Sequence, residues 1–292
     1  MPKIRALWLS LRPGSWIKNG FLFAPLIFGG KLYLTGSFFR ETLAFLAFCC
    51  CASGLYLIND LIDRNLDKLH PVKSRRPIAS GLISGRAAAT AGISLFIISL
   101  VVSFMVNPRL AGFTAVYCLF GLAYSFYFKK KVIMDIMSIA FGFELRIWAG
   151  SAAIGIVPSV WLQMATFILA LFLGFAKRRQ EIAVLGSLAP EHRRVLENYP
   201  RAFLDQLIGI FAGLSILAYS LYTVSAEVIA RTGKESLIYT LPFVIYGVLR
   251  YLFLIWTEQD KGDLVRTLLQ DTPLLASVLI WIISVIAVLY VF

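Results

Sequence analysis

"NDLIDRNLDKLHPVKSRRPIASG", residues 59–81, stands where one apolar run, 42–62, gives out and before the next, 87–106, begins. Read as helix at about 100° per residue, Asp60, Asp63 and Asp67 fall within roughly 60° of one another, with Asn59 one turn before Asp63. Carboxylates gathered on one face repel each other unless a cation lies between them. Their hard oxygens suit Mg²⁺, which commonly bridges protein carboxylates to substrate phosphates. Pro71 ends the helix. Lys73, Arg75 and Arg76 follow it, with donors fitted to the phosphate oxygens a metal leaves uncovered. His70 has no second His at ligand spacing and reads as a hydrogen-bonding residue rather than a metal ligand. A solvated basic loop would account for the Lys and Arg but not for three aspartates on one face.

Outward from this stretch the chain is apolar. Of its 292 residues 59% are hydrophobic and 15% charged, with a mean hydropathy of +0.78, which places it in a lipid bilayer. Runs long enough to cross about 30 Å of hydrocarbon as helix fall near 20–38, 42–62, 87–106, 110–128, 132–153, 158–177, 203–225, 236–256 and 272–292. The sequence therefore predicts an all-α, polytopic membrane protein of about nine spans, the first weakened by Pro25, Gly29, Gly30 and Lys31. With the N-terminus inside, 21 of the 28 basic residues lie on the inner side, five on the outer, and Arg146 and Arg250 within spans. The positive-inside rule then puts the N-terminus and the longer polar loops in the cytoplasm and the C-terminus outside. No internal repeat or second domain is visible, so residues 1–292 read as one membrane domain with cytoplasmic loops at about 63–86 and 178–202.

The net charge of +12 calls for an anionic partner, and apolarity favours anionic lipid or a phosphate-bearing substrate over nucleic acid. Cys49, Cys50, Cys51 and Cys118 show neither metal-ligand spacing nor a disulfide framework and read as packing residues. The basic first 19 residues, broken by Pro13 and Gly14, lack the pattern of a signal peptide. Glu144 and Arg146 are ionisable groups inside an expected span, where such groups face partners or a wet cavity. Lys129, Lys130 and Lys131 read as topology determinants, Asp135 as an i,i+4 partner of Lys131, and Tyr124 as packing or a ribose contact.

The opening stretch resembles the first aspartate-rich motif, NDxxDxxxD, of the UbiA superfamily of intramembrane prenyltransferases. The resemblance implies nine helices around a cytoplasm-facing cavity and Mg²⁺ bridging aspartates to a substrate diphosphate. Where that superfamily carries a second aspartate-rich motif, this chain reads "GFAKRRQEIAVL", residues 174–185, so Lys177, Arg178 and Glu181 replace most of the expected acidity. This departure, with "LRPGSWIKN" at 11–19, "YSFYFKKKVIMDI" at 124–136, "GFELRIWAG" at 142–150 and "RYLFLIWTEQDKGDLVRTLLQDTPLL" at 250–275, is similar to the decaprenyl-phosphate phosphoribosyltransferase branch. That branch implies transfer of 5-phosphoribose from phosphoribosyl pyrophosphate to a polyprenyl phosphate.

On this reading Asp60, Asp63 and Asp67, with Asn59, hold Mg²⁺ and carry the chemistry. Lys73, Arg75, Arg76, Lys177, Arg178 and Lys18 contact substrate phosphates, with Asn19, Arg146, Tyr124 and Glu181 as further substrate contacts. A homo-oligomer is compatible with the sequence. Two other functions compete: a prenyltransferase moving a prenyl chain from its diphosphate to an aromatic or other acceptor, and a carrier of a phosphorylated solute. The clustering of polar residues on one side argues against the carrier, whose site would lie near the midplane.

Overall fold

Lipid offers no hydrogen bonds to a bare backbone, so an apolar chain of this kind satisfies its peptide groups within helices. A computed structural model of the protein describes residues 3–69, 73–185, 194–257 and 264–292, and among these every regular element is helical. His70 and part of the 178–202 loop lie outside the described residues. Seven helices among them are long and apolar enough to cross a membrane. Of the nine expected spans, 20–38 and 132–153 are the two that do not meet this measure.

The 132–153 segment is a 20-residue helix, α7 (Met134–Ala153), whose Asp135, Glu144 and Arg146 make it too polar for the others' standard. The first expected span is not one helix. After α1 (Lys3–Leu11) comes a 3₁₀ helix, Pro13–Leu22, then a six-residue α2 (Phe23–Phe28). Gly30 ends this stretch at a φ of 70°, the left-handed conformation that glycine adopts without a Cβ clash. The next helix, α3, begins at Thr35 rather than near residue 42 and runs to Ile62.

The chain divides into two compact units. Unit one holds residues 1–26, 33–129 and 145–156; unit two holds 27–32, 130–144 and 157–292. Unit one is built on α3 and the antiparallel α5 (Gly85–Val106), followed by α6 (Pro108–Phe126). Small residues let α3 and α5 approach closely. A Cβ on Gly54 would stand 3.0 Å from the Gly92 carbonyl oxygen, and one on Gly92 would stand 3.4 Å from that of Gly54. Further along the same pair Ser99 donates to the Ala47 carbonyl at 2.7 Å, and Ser103 and Thr114 join α5 to α6 at 2.8 Å. Polar groups thus turn inward while Phe104 and Leu119 stay exposed, the inverse of a soluble fold.

Unit two contains α8 (Val160–Leu185), α9 (Arg201–Val224), the short α10 (Ala226–Thr232), α11 (Leu241–Trp256), α12 (Leu264–Gln270) and α13 (Thr272–Tyr290). Phe175 stacks on Phe211 between α8 and α9, their centroids 5.3 Å apart. Trp281 donates to the Tyr219 hydroxyl at 2.9 Å, and that hydroxyl pairs with Thr240 at 2.7 Å. Residues 27–32 join this unit through Tyr290, whose hydroxyl donates to the Ile27 carbonyl at 2.6 Å and accepts from the Leu32 amide at 3.3 Å. Asp271 caps α13 by accepting from the Leu274 amide at 2.9 Å, and Arg250 grips the same carboxylate at 2.8 Å.

Glycines separate required from incidental close packing. A Cβ on Gly150 would overlap the Leu22 carbonyl, a backbone atom that cannot step aside, whereas one on Gly209 would meet nothing within 4 Å. Gly150→Ala is expected to cost about 2 kcal/mol, seen as a lower melting temperature in detergent. Gly209→Ala should leave the melting temperature unchanged or raise it slightly.

Candidate active site

The aspartate face of the sequence is broken in two by the chain itself. Helix α3 stops at Ile62, Asp63 is its C-cap with φ −86° and ψ 4°, and a new helix, α4 (Arg64–Leu69), carries Asp67. The continuous helix assumed in placing the three aspartates on one face is therefore not what forms. Asp63 leaves helical geometry at the junction and meets a different cation from the one that Asp60 and Asp67 share.

Asp60 and Asp67 are buried, at 3% and 4% exposure. One guanidinium nitrogen, Nη1 of Arg76, donates to Asp60 Oδ1 at 3.0 Å and to Asp67 Oδ2 at 2.7 Å. Arg12 also donates to Asp60 Oδ1. Its backbone is left-handed, φ 53° and ψ 59°, a conformation rare for a residue with a Cβ, and its guanidinium lies 4.8 Å over the Tyr56 ring. The carboxyl of Asp67 is raised above the usual range by burial, against the opposing pull of Arg76 and Lys73.

Asp63 faces the other way. The ammonium of Lys129, just beyond α6, lies 2.7 Å and 2.8 Å from its two oxygens and 3.2 Å from Asn59 Oδ1. Asn59 turns its amide nitrogen to Asp63 Oδ2 at 3.2 Å.

Two points in unit one thus gather side-chain oxygens around one cationic nitrogen: Asp60 with Asp67, and Asp63 with Asn59. Among the described residues no three His, Cys, Asp or Glu side chains converge on a single point. The donors nevertheless fit Mg²⁺ in kind, since that ion takes one or two carboxylates and completes its shell with water and phosphate oxygens.

The other expected contacts are spread out. Lys73 lies near enough to act on the Asp67 charge; Arg75 is exposed, and Lys18, Tyr124 and Lys177 are half-buried. Asn19 and Arg146 do come together, Arg146 Nε donating to Asn19 Oδ1 at 2.9 Å and Nη2 to the Tyr117 hydroxyl at 2.7 Å. Asn19 also donates to Cys49 Sγ at 3.3 Å. Cys49 precedes Asp60 by three helical turns, about 16 Å along α3, so this buried pair stands apart from the acidic cluster.

Unit two carries its own charged cluster. Asp135 and Arg178 are both fully buried, 2.7 Å apart; the partner of Asp135 expected from the sequence was Lys131. Arg178 also donates to Glu181 at 2.6 Å, and the Tyr199 hydroxyl donates to Asp135 Oδ1 at 2.7 Å. That hydroxyl accepts from the amide of Ile133 at 2.6 Å, a β-branched residue held at φ 66°. Burial first, then the bond to Asp135, push the Tyr199 phenol well above its ordinary value, so it keeps its proton and remains a donor. Arg178, expected to touch phosphate directly, is here wholly covered; Glu181 is the partly exposed end of the chain of contacts.

Arg12, Lys129 and Tyr199 were not expected in these clusters. Arg12 lies 48 residues from Asp60 and Tyr199 64 residues from Asp135, beyond the reach of local spacing, whereas Lys129 had one usable signal: its place at a span end on the same side as the aspartates.

The fold and the site together define an all-helical, polytopic membrane protein with paired carboxylates and cations at the end of a span. Residues 22–270 match the UbiA prenyltransferase family, and the chain belongs to that family of transferases. It is 31% identical over 287 residues to the decaprenyl-phosphate phosphoribosyltransferase of Corynebacterium glutamicum, covering 97% of this chain and 86% of that one. To the protein of the same name from Mycolicibacterium smegmatis it is 30% identical over 303 residues, covering 98% and 93%. A UbiA homologue from Archaeoglobus fulgidus, solved bound to GPP and Mg²⁺, shares the fold with a TM-score of 0.73 at 21% identity, over 98% of this chain and 100% of that one.

With its fully buried partner gone Arg178 would keep only the partly exposed Glu181, so Asp135→Ala is expected to cost about 3 kcal/mol. Tyr199→Phe, which removes one hydroxyl from the same network, should cost about 1–2 kcal/mol. Thermal unfolding in matched detergent would rank the two.

Proposed function

We propose that the protein transfers 5-phosphoribose from phosphoribosyl pyrophosphate to a polyprenyl phosphate of the decaprenyl type, with release of pyrophosphate. The observation that carries the reading is the likeness to the two named phosphoribosyltransferases, which extends over 97% and 98% of the chain. The interleaving of Asp60, Asp63 and Asp67 with Arg12, Arg76 and Lys129 supports it, because a metal–diphosphate complex needs both carboxylates for the ion and cations for the phosphate oxygens. Lys177, at the place where the superfamily carries its second acidic motif, suits a phosphate-bearing substrate better than a carboxylate would.

In this reading Asp60, Asp67, Asp63 and Asn59 hold Mg²⁺. When bound, the ion offsets the charge that gathers on the departing pyrophosphate. Arg76, Arg12 and Lys73 hold phosphate oxygens of the donor, with Arg75 and Lys18 as outer contacts. Lys177 and Glu181, the latter oriented by Arg178, are further substrate contacts, as is Tyr124. Asn19 and Arg146 support the pocket from a deeper level. The bond between the anomeric carbon and the diphosphate oxygen breaks, and one to an oxygen of the lipid phosphate forms. That phosphate is already anionic at neutral pH, so positioning rather than a strong general base is what the protein must supply. The protein lies in the cytoplasmic membrane with its N-terminus and polar loops inside, as the distribution of Lys and Arg favours.

Purified protein offered phosphoribosyl pyrophosphate with polyprenyl phosphate, and separately prenyl diphosphates with aromatic acceptors, should release pyrophosphate only with the first pair. Turnover with the second pair alone would overturn the reading. Asp63→Asn and Asp60→Asn should each lower Mg²⁺-dependent kcat by about 10²-fold or more, with the melting temperature showing that the fold survives.

A further inference from the structure

The ammonium of Lys129 sits among oxygens that suit a different occupant. Both Asp63 oxygens and Asn59 Oδ1 lie within 3.2 Å of it, and the bond from the Asn59 amide nitrogen to Asp63 turns the amide oxygen toward it. The Lys129 side chain is only 15% exposed, so this is not a loose surface contact. Carboxylate and amide oxygens converging on one point are what a hard divalent cation seeks, and here they are turned toward an ammonium instead. The ammonium and a metal ion cannot both occupy the place. Two positive charges a few ångström apart in a half-buried setting repel strongly, so one must leave for the other to enter.

We infer that Lys129 is the resident counter-ion of the Asp63–Asn59 pair and that a divalent cation binds there only by displacing it. The inference rests on the reading that Asn59 and Asp63 hold the metal. Without substrate, the protein then binds the ion more weakly than its oxygens alone would allow. A displaced ammonium is left without its carboxylate and seeks another anion, which a diphosphate supplies. Metal and donor therefore favour each other's binding, as linkage between two ligands requires. Lys129 serves as a positioning residue in the metal-bound form and as a competitor in the metal-free one. The arrangement also guards against idle occupancy, because the carboxylate is never left bare.

The test is Mn²⁺ binding to the full-length protein in nanodiscs of neutral lipid, without substrate, read from the electron paramagnetic resonance signal of the free ion. Lys129→Met and Lys129→Gln, used together so that poor folding of one does not decide the matter, should bind Mn²⁺ about five-fold or more tightly than the native protein, the worth of a half-buried ion pair. Lys129→Arg, which keeps a cation in place, should stay near the native affinity. Asp63→Asn should lose the ion. A purely structural lysine would give the opposite sign, since loosening the site weakens metal binding. If Asp63→Asn loses the ion while Lys129→Met and Lys129→Gln bind it no more tightly than native, the counter-ion inference fails and the metal assignment stands. If Asp63→Asn binds like the native protein, the metal assignment fails and takes the inference with it.

Discussion

A charge held inside a helical membrane protein has to be answered at close range, because neither lipid nor packed side chains will solvate it. Here the answer is given mostly by ion pairs that reach across the sequence. Arg76 lies between Asp60 and Asp67, Lys129 against Asp63, and Arg178 against Asp135. Each ties one helix or loop to another, so each fixes local geometry as well as charge. A buried pair of this kind is a poor source of net stability, since desolvation takes back most of the attraction. Its value is that the alternatives, with one partner missing or displaced, are much worse.

The two units use this device differently. In unit one the cations approach the end of α3 from three directions, a left-handed residue after α1, the turn after a short 3₁₀ helix at Lys73–Arg75, and the residues beyond α6. Of the carboxylates they meet, Asp60 and Asp67 are buried, while Asp63, 24% exposed, retains access to exchange partners. In unit two the central pair is closed to solvent, and Tyr199 pins it to a turn where Ile133 is held in a conformation that β-branched residues avoid. One cluster is suited to exchanging ions and the other to holding a shape.

Much of this was legible beforehand. Seven of the expected spans correspond to long apolar helices because apolar length is a local property that residue counting captures. The family showed in "NDLIDRNLDK" and in the ordered motifs that follow it, all short enough to be read directly. What escaped was of two kinds. The broken first segment turns on Pro25 and Gly30, which mark a disturbance but do not say that the helix resumes at Thr35. The partners of the charged residues escaped because contacts such as Arg12 with Asp60, or Tyr199 with Asp135, are set by packing between helices and leave no periodic trace. Treating residues 59–67 as one unbroken helix also hid the separation of Asp63 from its neighbours, which depends on the φ and ψ of a single junction residue.

Tyr290 carries a consequence for the making of the protein. Its hydroxyl serves both the carbonyl of Ile27 and the amide of Leu32, so groups near the beginning of the chain are satisfied by a side chain more than 250 residues later. Chains are synthesised from the amino end, and earlier regions fold first where they can. Residues 27–32 cannot do so on their own. They meet the side chain that completes these hydrogen bonds only once α13 has been made.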